Sequence, residues 1–156
     1  MAEDIELVYS DSIELVVFDL DGTLINLKVD WAELKQNMKS ENDYETIEKY
    51  ELENIADAEP IELTVKLAKK LKNEGKKLAI FSSNMRKTVE KALKILDLEV
   101  DFIVAREDVK NLKPAPEGLE KIAAKFKIAK DKIVYIGDRG IDEIASEEAS
   151  IGFILI

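Results

Sequence analysis

The chain contains no cysteine and no histidine. Without cysteine there are no disulfides, thiolate nucleophiles or zinc–thiolate sites. Without histidine the usual general base and the commonest transition-metal ligand are missing. Catalysis, if present, must run on carboxylates, hydroxyls, lysine and hard cations. Bases are outnumbered, 23 against 33 acids for a net charge of −10, and no basic stripe is visible. That balance argues against nucleic acid as a partner. No apolar stretch approaches membrane-spanning length. The start, Met1-Ala2-Glu3-Asp4, has neither the basic segment nor the apolar core of a signal peptide. The expectation is a cytoplasmic protein without a membrane partner.

What is present suits one globular domain. The 156 residues are 46% hydrophobic and 36% charged, enough chain for a sizeable core. Five short apolar runs, at 15–18, 78–81, 102–105, 133–136 and 153–156, read as strands buried on both faces. Helical spacing lies between them. Ile61, Val65, Ala68 and Leu71 follow Pro60 and stop at Gly75. Met85, Val89, Ala92, Leu93 and Leu96 form a second set, Leu119, Ile122, Ala123 and Phe126 a third behind Pro116, and Ile141, Ile144, Ala145 and Ala149 a fourth. Strands alternating with helices predict right-handed β-α-β units, an α/β fold with a parallel five-stranded sheet flanked by helices.

The first connection breaks this rhythm. Residues 24–59 stand where a loop of about 2–6 residues is usual. They carry two helical patterns, Trp31, Leu34, Met38 behind a candidate Asp30 cap, and Tyr44, Ile47, Ile55 behind Asn42-Asp43. The aromatics Trp31, Tyr44 and Tyr50 gather here. The insert is expected to be a small helical lid over the strand ends rather than an excursion packed on the body. Residues 1–12 receive no assignment. Ile5-Glu6-Leu7-Val8 recurs as Ile13-Glu14-Leu15-Val16 in a β-prone composition, and nothing is built on it.

The most informative residues are Asp19 and Asp21 in Val17-Phe18-Asp19-Leu20-Asp21-Gly22-Thr23. A buried strand ending in two acids is costly unless something compensates them, and a divalent cation does so. In a parallel sheet, ligands bind outside the carboxyl ends of the strands. Strand two delivers Ser82, Ser83 and Asn84 to a helix start, where free amides attract an anion. Strand four delivers Gly137-Asp138, with Asp142 four residues on. Lys113 precedes Pro114-Ala115-Pro116 after the third strand.

In this order the set resembles the haloacid dehalogenase superfamily of phosphotransferases, in its phosphatase branch. The resemblance runs from Val16 to about Ile156 and implies a Rossmann-like core over 1–23 and 60–156, with a small helical cap inserted over 24–59. It implies that Asp19 is the nucleophile, forming an aspartyl-phosphate, and Asp21 the general acid and then base. It implies Mg²⁺ held by the Asp19 carboxylate, the Asp21 backbone carbonyl and Asp138. Ser82 would bind phosphoryl oxygens, Lys113 would neutralise their charge, and Asp142 would orient a metal-bound water or pair with Lys113. Gly22, Thr23, Ser83 and Asn84 would support the site. The expected activity is hydrolysis of a small phosphomonoester, phosphoglycolate phosphatase-like, by a monomer or homodimer. A phosphomutase uses the same residues. A phospho-receiver module fits less well, because its acceptor ends strand three, where this chain has Ala105-Arg106-Glu107. Asp21 argues against dehalogenation. Arg139, where the family carries a small hydroxyl residue, is expected to point away from the site.

Overall fold

The computed structural model describes residues 2–156; Met1, part of the N-terminal reading above, lies outside them. In chain order it contains α1 (Ala2–Val8), β1 (Leu15–Phe18), β2 (Ile25–Asn26), α2 (Trp31–Asn37), α3 (Tyr44–Asn54), β3 (Glu59–Pro60), α4 (Glu62–Asn73), β4 (Lys77–Phe81), α5 (Arg86–Leu96), β5 (Phe102–Val104), α6 (Glu117–Phe126), β6 (Ile133–Gly137), α7 (Gly140–Ala149) and β7 (Gly152–Leu155).

Five strands form one sheet in the order β5-β4-β1-β6-β7, every pair parallel. β1 is central and buried at all four positions. Alternate residues feed the two faces. Val16, Phe18, Leu78, Ile80 and Ile136 pack with Leu71 of α4 and Val89 and Leu96 of α5. Leu15, Val17, Phe81 and Tyr135 pack with Leu119 and Ile122 of α6 and Ala145 of α7. Covering both faces explains why the strands read as unbroken apolar runs. The chain leaves β1 for β4 and β5 on one side, then returns to β6 and β7 on the other. The order therefore reverses at β1, and the carboxyl ends of β1, β4 and β6 surround a crevice.

The repeated tetrapeptide takes two forms. At 5–8 it lies in α1; at 13–16 it leads into β1. Leu15 and Val16 have strand neighbours on both sides, Lys77 and Leu78 on one and Ile133 and Val134 on the other. Pairing, not letters, decides the outcome.

Residues 24–59 form a helical unit closed at its base by a short antiparallel ribbon, Ile25 opposite Pro60 and Asn26 opposite Glu59. Two-residue strands leave no periodicity to read, so the ribbon was not foreseen. Asp30 caps α2 by accepting from Glu33 N at 3.1 Å, and Asp43 caps α3 by accepting from Thr46 N at 3.3 Å. Trp31, Tyr44 and Tyr50 pack around Leu34, Ile47 and Met85, the last from the core just before α5. No helix among the described residues is long and apolar enough to cross a membrane.

Candidate active site

β1 carries Asp19 directly off its buried end, and the residue is 1% exposed. From there the chain turns sharply. Gly22 sits at φ +84°, and a Cβ on it would collide with the Asp138 carboxylate. Only glycine meets both demands. The turn brings Asp21 round so that its Oδ1 accepts from Leu27 N at 3.0 Å. Buried Thr23 donates its hydroxyl to Asp138 Oδ1 at 3.3 Å, tying the end of β1 to the end of β6.

Lys113 reaches the same point from the loop after β5. Its fully buried ammonium donates to Asp19 Oδ1 at 3.0 Å, Asp142 Oδ1 at 2.7 Å and the Tyr135 hydroxyl at 3.1 Å. Asp142, fully buried in α7, uses its other oxygen to accept from the amides of Asp138 and Arg139. Of the two roles open to Asp142, the geometry has it pairing with Lys113. Both its oxygens are engaged. Asp19 differs: Oδ2 is buried and has no hydrogen-bond partner. Oxygens of Asp19, Asp138 and Asp142 lie within 4.8 Å of one another. An orphaned carboxylate oxygen beside a second carboxylate, with hard oxygen donors alone, fits a divalent cation.

Burial pushes the Asp19 carboxyl up to about 7; Lys113 opposes this and Asp142 reinforces it. Burial also raises Asp21, against the hydrogen bond from Leu27. Tyr135 is raised well above the phenol's usual value, first by burial and then by the charges of Asp19 and Asp142. It therefore stays a neutral phenol.

Ser82, buried at the end of β4, donates its hydroxyl to Asn84 Oδ1 at 2.8 Å and accepts from Asn84 N at 3.0 Å. To serve a ligand its proton must turn away from Asn84. Asn84 in turn donates to Glu51 of α3, which also accepts from Met85 N at 2.9 Å and the Thr88 hydroxyl at 2.8 Å. Glu51 thus staples the 24–59 unit to the start of α5, and burial holds its carboxyl above the usual range. Glu51→Ala strands three buried donors. It should lower unfolding stability by about 3 kcal/mol, read from the urea midpoint at constant slope.

Ser83 lines a cavity of about 240 Å³ with Lys113, Arg106, Arg139, Trp31 and Met38. The expectation for Arg139 is corrected here. Its side chain faces this cavity, and its charge lowers the carboxyls of Asp19 and Asp21. With its amide turned to Asp142 at 3.1 Å, the residue opens α7 directly beside Asp138. Sequence reasoning missed Tyr135, Glu51 and Arg106 as parts of the site.

A parallel α/β core with an acidic crevice at the reversal of its strand order defines the class, and comparison with known proteins agrees. The family profile described as haloacid dehalogenase-like hydrolase matches residues 33–156. The chain belongs to that family. Among curated relatives, the pyrophosphatase PpaX of Halalkalibacterium halodurans is 29% identical over 174 aligned positions, covering 89% of this chain and 81% of its own length. Among solved structures, a Bacteroides fragilis protein assigned as a haloacid dehalogenase-like hydrolase superposes with a TM-score of 0.75 at 20% identity, covering 90% of this chain and 86% of that one. A predicted phosphoglycolate phosphatase of Haemophilus somnus gives 0.71 at 18% identity, covering 92% and 85%.

Proposed function

We propose that this hydrolase is a Mg²⁺-dependent phosphatase of small phosphomonoesters working through an aspartyl-phosphate on Asp19. The observation that carries the reading is the split environment of the Asp19 carboxylate: one oxygen is held by Lys113, the other is buried without a partner. The names of the relatives, a pyrophosphatase and a predicted phosphoglycolate phosphatase, support the same class.

Asp19 attacks phosphorus while the bond to the leaving alkoxide breaks, and Asp21 gives that oxygen its proton. Asp21, now a carboxylate, takes a proton from water, which attacks the phosphoryl group and frees Asp19 and phosphate. The raised affinity of Asp21 for a proton suits the first half of this cycle. Lys113 places positive charge beside the attacking carboxylate, and Ser82 with the Ser83 amide binds phosphoryl oxygens. Asp19, Asp138 and the Asp21 carbonyl would hold Mg²⁺, which when bound neutralises phosphoryl charge. Residues 1–23 with 60–156 form the catalytic core in this reading, and 24–59 the cap.

Purified protein with Mg²⁺ should release phosphate from an aryl phosphate and stop with a chelator. Phosphorylated protein that persists without free phosphate would favour a receiver instead. Affinity for Mg²⁺ should also depend on pH. The cation-free Asp19 carboxyl titrates near 7, so below that pH a proton competes with the cation. The Mg²⁺ midpoint should rise by about tenfold per unit of falling pH below 7 and level off above 8. A midpoint constant from pH 5.5 to 8.5 would contradict Asp19 as a ligand.

A further inference from the structure

In a chain of net charge −10, the cavity beside Asp19 collects four cations: Lys35, Arg106, Lys113 and Arg139. Lys113 is committed to Asp19 and Asp142. The other three form no ion pair among the described residues. Arg86 makes the contrast, since it is paired with Asp108. Arg106 is the telling one because it is only 8% exposed. Its two terminal nitrogens donate to the carbonyls of Ser83 and Glu41, and its Nε donates to nothing. Trp31 of α2 stands over the guanidinium at 5.9 Å, and the charge of Glu51 acts on it from α3. Arg139 faces the acids Asp19 and Asp21 but is held by neither. A guanidinium removed from water without a carboxylate is costly. An anion in the cavity would supply the missing compensation.

We propose that Arg106 and Arg139, with the exposed Lys35, bind a second anionic group of the substrate, a carboxylate or a phosphate. This rests on the phosphatase reading and deepens it. Lys113 lines the cavity and touches Asp19, so the second anion lies close to the scissile phosphate. The volume of about 240 Å³ accommodates a compact phosphorylated molecule. The favoured substrates are then pyrophosphate or a short phosphoester bearing a carboxylate, over esters with a neutral tail.

The test is kcat/KM with Mg²⁺ for pyrophosphate, phosphoglycolate, glycerol 2-phosphate and an aryl phosphate. At least one of the first two should exceed glycerol 2-phosphate by about tenfold or more. Because Arg106 is buried and its loss endangers the fold, the exposed Arg139 carries the variant test. Arg139→Gln should shrink that ratio at least about fivefold, mainly through KM for the anionic-tailed substrate, and Arg139→Lys should restore part of it. A ratio within about twofold of unity, or one that Arg139→Gln leaves unchanged, overturns the inference while phosphatase activity stands. No turnover of any of the four overturns the phosphatase reading and this inference with it.

Discussion

Asp19→Asn should lower turnover by about 10³-fold or more while leaving the protein folded. The change removes the attacking oxygen and a cation ligand together, yet keeps the size and shape of the side chain. Stability supplies the sharper signature. The folded-state carboxyl of Asp19 titrates near 7, raised from 3.8 chiefly by burial. A group raised in this way favours the folded state fully below about pH 4, and the contribution is lost as pH rises through about 7. At pH 8 without cation, the parent therefore carries the whole penalty of a buried charge, and the neutral amide does not. The variant should unfold at a higher denaturant concentration than the parent at pH 8 in chelator. The gap should close toward pH 5. Activity lost together with stability at every pH would make Asp19 a structural residue instead. Trading stability for a reactive group is expected at a catalytic site.

The second large effect belongs to Lys113→Met, which deletes the charge and keeps the length. It leaves Asp19, Asp142 and the Tyr135 phenol buried together without their cation. Breaking a buried pair by removing one partner costs about 3–5 kcal/mol, because the remaining charge has no compensation. Here two carboxylates are stranded side by side, and the charge of Asp142 raises the proton affinity of Asp19 with no ammonium to oppose it. The loss should be largest at pH 8 and smaller near pH 5, where the Asp19 carboxyl takes up its proton. Turnover should fall by about 10²-fold or more, as for loss of a charge-stabilising donor. Denaturant titrations at the two pH values, with rates measured under native conditions, check both parts. A variant as stable as the parent at pH 8 would mean that the ammonium does not hold this cluster together.

The sheet was legible because burial on both faces writes itself as unbroken runs of Leu, Val, Ile and Phe, and all five appear as strands in the structure. The acids, Ser82 and Lys113 were legible because strand ends in an open sheet point at one crevice. Other parts were hidden for physical reasons. Glu51 follows Ile47 and precedes Ile55 at intervals of four, so it occupies the buried stripe of its helix. A charged residue at such a position is the signal that could have marked it as the staple to α5. Tyr135 sat inside the apolar run of β6 and passed as core, which it also is. What its hydroxyl meets depends on Lys113 and Asp142, far away in sequence. Arg106 gave no local sign, since its value comes from partners it lacks. The helix at 5–8 was unreadable because its tetrapeptide suits a strand wherever neighbouring strands exist.

The covalent role of Asp19 can be tested directly with Asp21→Asn and an aryl phosphate, whose leaving group needs little protonation. Attack should proceed, and release should stall for want of a base. Acid quenching within one turnover, followed by peptide mass analysis, should find one phosphoryl group on Asp19 that neutral hydroxylamine removes. A burst of free phosphate with no phosphoryl group on the protein, or with that group on another residue, would contradict nucleophilic attack by Asp19.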